Sequence, residues 1–221
     1  MNTLNNIIIW IGSGLVFSSF IISVLMPTQK KIYMKGFFFC PFIACLISIN
    51  SISSRFYFLY SMQVNFLIQI ILLLCDLIFW GVFFHRLINM RKESIKIVVF
   101  SSIIFLISVY TLYFNNTYTP NLHIHALSNC VKVIFCVLFF SKLFKEILFK
   151  NILKEPSFWI VSGLMFYSSI SIPFYALNNY IMQNFAIELA YTFFSISNML
   201  VIIMHFFFIK SFLCTIHLHK A

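Results

Sequence analysis

Seven long apolar segments fill most of this chain, and positive charges crowd into every second gap between them. That arrangement constrains the fold more than any motif. Hydrophobic residues make up 62% of the 221 positions and charged residues 9%. Soluble domains carry about 45–50% apolar and about 25% charged residues. A soluble fold of this length has too little interior to hide so much apolar surface, so the expected solvent is lipid.

A helix needs about 20 apolar residues to cross the hydrocarbon. The segments 7–26, 36–54, 64–84, 97–114, 122–141, 157–177 and 187–209 fit that need. Backbone groups in lipid must be paired within the segment, which favours helices. Barrel strands would alternate polar and apolar residues; these runs do not alternate. The expected class is an all-α integral membrane protein, one seven-helix bundle over residues 1–221. The first segment has no basic residue before it and no small-residue cleavage site after it, so it reads as a span and not as a removed signal peptide.

Orientation follows from lysine and arginine in short loops. Lys30, Lys31 and Lys35 follow the first span. Arg86, Arg91, Lys92 and Lys96 follow the third, and Lys142, Lys145, Lys150 and Lys154 the fifth. Lys210 and Lys220 follow the seventh, while the other side holds only Arg55. This asymmetry places the N-terminus outside and the C-terminus in the cytoplasm of a bacterial inner membrane. The net charge of +10 fits retention at an anionic inner leaflet. No basic groove-reading motif supports nucleic-acid binding. The bilayer is the expected partner.

Segment 141–156 is the one substantial inner connection. Its apolar residues recur at helical spacing, so it is either an interfacial helix or an extension of the fifth span. Pro156 stands where a new helix would begin, which suits its missing N–H. Pro41 and Pro173 either kink their helices at a cavity or merely adjust packing.

Chemistry-bearing residues are few. Cys40, Cys45, Cys75, Cys130, Cys136 and Cys214 form no CxxC and read as small apolar side chains. HExxH, GxSxG and phosphate-cradling glycine loops are absent. With five acidic residues in all, a two-metal site is not expected. The reading is non-enzymatic, with no cofactor and no metal. The seventh span has no central lysine, which excludes a retinal protein.

Asp76 and Lys132 stand out. An isolated charge at the bilayer centre costs at least about 2.5–3.5 kcal/mol. Counted from the outer ends of spans three and five, they sit at roughly 18 and 15 Å depth, which a lysine stem can bridge. The expected outcome is a buried ion pair. Its role is a coupling switch or a packing pair; the third option is that Asp76 is protonated. His123 and His125 stand at the outer mouth of the fifth span and Glu188 opens the seventh, a candidate outer-face ligand site. In an extended backbone the two histidines could share a metal; on a helix they point about 200° apart. His85 at the inner end of the third span reads as a headgroup contact. Asn50, Ser195, Asn198 and His205 read as interhelical hydrogen bonders. His217 and His219 fall in a tail expected to fray.

The run from Glu155 to Tyr167, EPSFWIVSGLMFY, opens the sixth span after a basic loop. It resembles a pattern in the heptahelical membrane regions of Bacteroidota sensor histidine kinases and their small stand-alone relatives. Glu155, Pro156, Phe158, Trp159, Gly163 and Tyr167 carry the resemblance. It implies a sensory module. Because this chain stops shortly after the seventh span, output would pass through a separate cytoplasmic or membrane signalling protein, with a homodimer also expected. The run MPTQKKIY around Pro27 looks a little like small seven-span sugar transporters built as three plus one plus three, although Thr28 interrupts their Pro-Gln pair. The sequence therefore leaves three functional classes open: a sensor acting in trans, a small-solute transporter or channel, and a scaffold subunit of a membrane complex.

Overall fold

The computed structural model describes residues 2–25, 40–42, 44–46, 62–88, 99, 102, 106, 122–146, 152–184 and 187–220. At 2–6, 9, 25, 62–70, 122–123, 146, 178–179, 181–184, 187–194 and 215–220 the description covers the backbone alone. The described residues are all helical apart from Glu155. They form α1 (Asn2–Leu25), α2 (Met62–Ile88), α3 (Leu122–Glu146), a 3-10 turn (Ile152–Lys154), α4 (Pro156–Asn184) and α5 (Ile187–Lys220). In sequence order α1 to α5 correspond to expected spans one, three, five, six and seven. The described residues of spans two and four, such as Cys40–Phe42 and Val99, are also helical; most of both spans, with Asn50, lies outside the described residues.

Four described helices are long and apolar enough to cross a membrane, over Ile71–Ile88, Ile124–Lys145, Pro156–Leu177 and Ser195–Cys214. α1 contributes a shorter apolar stretch, Trp10–Val24. The chain is thus a multi-pass, all-helical membrane protein.

The helices outrun the apolar segments at several ends. α3 continues to Glu146, so the first part of 141–156 extends the span. α5 runs 34 residues to Lys220, about 50 Å at 1.5 Å per residue, against about 30 Å of hydrocarbon. The tail holding His217 and His219 is therefore helical in its backbone and not frayed. Hydrogen bonding within a helix does not stop where apolarity does. α4 runs unbroken through Pro173.

α4 begins at Pro156, whose lack of an N–H costs nothing at a first helical position. Just before it, Glu155 N donates to Ile152 O at 3.0 Å and Phe158 N to Glu155 O at 3.1 Å. Trp159 Nε1 donates to Leu153 O at 2.8 Å, fastening the 3-10 turn onto α4.

α5 packs between α1 and α4; α4 packs on α3, and α3 on α2. At the α4–α5 contact, a β-carbon at Gly163 would lie 2.6 Å from Phe207 Cβ. Only glycine permits this approach, the usual device for joining helices in lipid. Toward the end carrying Lys142, Lys154 and Lys210, the centre is an aromatic core of Phe83, Phe84, Phe135, Phe139, Phe208 and Phe212. Phe84 stacks on Phe135 at 5.2 Å, and Trp80 meets Phe208 at 6.2 Å, which ties α2 to α3 and α5. Lys142 Nζ donates to Ile88 O at 2.7 Å, capping the end of α2 from α3.

Candidate functional site

The chemistry gathers at the edge of that aromatic core. Asp76 projects from the middle of α2 and Lys132 from the middle of α3. Lys132 Nζ lies 2.5 Å from Asp76 Oδ2, with the two side chains 8% and 17% exposed. The other carboxylate oxygen is also occupied: Trp80 Nε1 donates to Asp76 Oδ1 at 3.0 Å. Trp80 is one helical turn beyond Asp76, the spacing at which side chains on a helix meet. Its ring is held edge-on to Phe79 and Phe83, at 5.3 and 5.5 Å. A carboxylate in lipid needs its charge balanced and its lone pairs filled. Here a cation does the first and an indole part of the second. Cys40, from the second expected span, belongs to the same buried cluster as Trp80 and Leu77.

α3 and α4 run antiparallel, so their side chains pair in register. His125 stacks on Tyr175 at 5.2 Å and 25°. Farther along, Cys136 Sγ donates to Val161 O at 3.7 Å. The same register brings Ser168 level with Lys132, and Ser171 level with Ser128. Tyr175 reaches Ser197 on α5, and its hydroxyl lies 3.5 Å from that of Tyr167. The layer from the ion pair to the His125 end is therefore polar: His125, Ser128, Asn129, Tyr167, Ser168, Ser171 and Tyr175. Ser171 reaches the Tyr167 hydroxyl, while the hydroxyls of Ser128 and Ser168 are buried without a hydrogen-bond partner among the described residues. Serines of α1 behave differently, because Ser18, Ser19 and Ser23 donate to carbonyls of their own helix.

A second polar contact joins α1 to α5. Ser19 Oγ lies 2.8 Å from His205 Nδ1 and also donates to Val16 O at 2.8 Å. A hydroxyl has one proton, so with Val16 as its acceptor it takes the Nδ1–H of histidine. His205 Nε2 is then a bare acceptor, buried with no partner among the described residues. Phe208 meets the ring edge-on at 5.4 Å.

The other sequence candidates fall out as follows. His125 is placed on Tyr175. His123 sits in the first turn of α3 and Glu188 at the start of α5, and the described residues include neither side chain. Because the backbone is helical from Leu122, the extended arrangement in which His123 and His125 could share a metal does not occur. Among the described residues, no three His, Cys, Asp or Glu side chains are gathered as metal ligands. Ser195 and Asn198 are half-buried on α5. Of the run that opens α4, Pro156 starts the helix, Trp159 fastens the 3-10 turn, Gly163 admits α5 and Tyr167 joins the polar layer. Phe158 packs edge-on to Phe140 at 6.1 Å, and Glu155 supplies the carbonyl for Phe158 N.

Sequence reasoning missed Trp80, Tyr175 and Ser19. A Trp four residues after an intramembrane Asp was a usable sign of the first. Nothing in the sequence points to the other two, because they depend on how the helices are rotated.

No family model, curated protein or solved structure matches this chain.

Proposed function

We propose that this protein is a non-enzymatic sensory or signalling module of a bacterial inner membrane. It has seven spans, with its N-terminus outside, and acts through a cytoplasmic or membrane partner protein. The observation that carries this reading is the buried Asp76–Lys132 pair with its Trp80 support. Replacing a buried ion pair by apolar residues is often neutral or stabilising. Stability alone is therefore a poor reason to keep one, and an ionisable pair inside a membrane points to function.

The pair joins α2 to α3 where the polar layer meets the aromatic core. A ligand or charge entering the polar layer from the outer face competes for Asp76 or Lys132. Loosening the pair shifts α3 against α4, and α5 follows through the Gly163 contact. The helix ends at Lys142, Lys145 and Lys210 carry the shift to the partner.

The test is affinity purification of the tagged protein from its native membranes in mild detergent, wild type beside Asp76→Asn. The expected result is a cytoplasmic signalling protein at near one-to-one ratio, captured in altered amount by the variant. If the chain comes out alone, or both forms capture the partner equally, the reading fails.

A small-solute transporter is the second reading, favoured by the hydroxyls of Ser128 and Ser168, which have no partner among the described residues. Water or a solute would satisfy them. Cysteines placed at Asp76, Lys132, Asn50 and Asn198 separate the two. Labelling from both faces favours transport, and protection from the inner face favours signalling.

A further inference from the structure

Trp159 does more than fasten the 3-10 turn to α4. Its indole N–H holds Leu153 O at 2.8 Å, which fixes the backbone leading into Lys154 close to the indole. From the other side, Lys210 of α5 places its ammonium 5.8 Å from the centre of the same ring. Cys214, one turn beyond Lys210, donates its Sγ to the same Leu153 carbonyl at 3.8 Å. One aromatic side chain thus ties together two lysine-bearing segments that lie far apart in sequence. Both lysines are exposed, and neither has a carboxylate partner among the described residues. Glu155, next to Lys154, has another partner. A cation over an aromatic face keeps its three N–H donors free.

The place matters as much as the charge. The apolar stretch of α4 begins at Pro156 and that of α5 ends at Cys214. Lys154 and Lys210 therefore stand where hydrocarbon gives way to headgroups. Beside them, Leu153 and Leu213 are large exposed apolar side chains. Leu213 is three residues from Lys210, on the same side of α5. Cations, an interfacial Trp and flanking leucines match an anionic headgroup above its acyl chains.

We propose that Lys154 and Lys210, on segments joined through Trp159, form a binding site for the phosphodiester headgroup of an anionic phospholipid. Two donors from separate elements converge on one phosphate, and the leucines line the chains below it. The site depends on the membrane setting of α4 and α5, and does not depend on the signalling reading.

The test is native mass spectrometry of the purified full-length protein in detergent, titrated with phosphatidylglycerol or phosphatidylcholine. Wild type is expected to retain phosphatidylglycerol preferentially. Lys154→Gln and Lys210→Gln should each lose about five-fold in affinity for it, and the double variant about 25-fold, at about 1 kcal/mol per lysine. Lys145→Gln removes an exposed charge at the same end and should keep the preference. The proposal is overturned if wild type shows no preference, if the double variant retains it, or if K145Q loses as much as K154Q or K210Q. The last outcome would mean diffuse attraction in place of a built site.

Discussion

Lys132→Met removes the ammonium from the buried pair and keeps most of the side-chain volume. Among the described residues, Asp76 is then left with the Trp80 indole on Oδ1 alone. Both members are less than a fifth exposed, so water screens them little. Breaking a buried pair on one side costs about 3–5 kcal/mol. Insertion scales put a central charge at about 2.5–3.5 kcal/mol. The expected loss is therefore about 3 kcal/mol. Asp76→Asn leaves an oxygen for Trp80 but strands Lys132, with a similar loss. The double variant D76N/K132M carries no net buried charge and should fall within about 1 kcal/mol of wild type, as pair replacements usually do. The two single losses together then exceed that of the double variant by about 5 kcal/mol, above the usual 0.5–3 kcal/mol for residues in contact because each single variant strands a buried charge. The assay is reversible unfolding in mixed micelles by added SDS, followed by Trp fluorescence, for all four proteins. Additive losses, with coupling under about 0.5 kcal/mol, would mean that the two groups do not interact as charges and would refute the reasoning.

Three further outcomes follow from the helix contacts. Gly163→Ala should cost about 1–3 kcal/mol by overpacking, read as a lower thermal midpoint in detergent; adding Phe207→Ala should not rescue it, since the obstructing atom is the β-carbon itself. Ser19→Ala removes the partner of His205 Nδ1 while Nε2 is already unpartnered; the same thermal assay should show a loss of about 0.6–1.7 kcal/mol, the range for hydrogen bonds between membrane helices. Lys142→Gln releases the Ile88 carbonyl, and faster amide hydrogen exchange over residues 85–88, with the midpoint nearly unchanged, is the expected result.

Much of the architecture was legible because lipid imposes few solutions. The starts of α3, α4 and α5 coincide with the apolar boundaries at 122, 156–157 and 187. The far ends do not, since a helix continues past its last apolar residue while its amides still pair. Asp76 and Lys132 could be matched because a charge in hydrocarbon needs a partner and few were available. Trp80 and Tyr175 could not be placed in the same way. Apolar residues surround these helices on all sides, so no stripe reveals which face turns inward. Gly163 was noticed as part of a run, but its reason, the backbone of α5 a van der Waals contact away, belongs to tertiary structure. The histidines show the limit most clearly. His123 and His125 look alike in the sequence, yet only the second is placed against a described partner, the Tyr175 ring.

The packing order has a consequence for how the protein is made. α1 packs on α5, so the first described helix waits for the last described one. Roughly 160 residues separate them, and at about 5–20 residues per second the wait is about 8–30 s. During that interval Ser19 lacks its contact with His205 of α5, and α1 must be held by lipid or by the insertion machinery. A ribosome that stalls before residue 187 thus leaves a membrane-inserted chain with its first helix unclaimed, a state that quality-control proteases can distinguish from the finished protein.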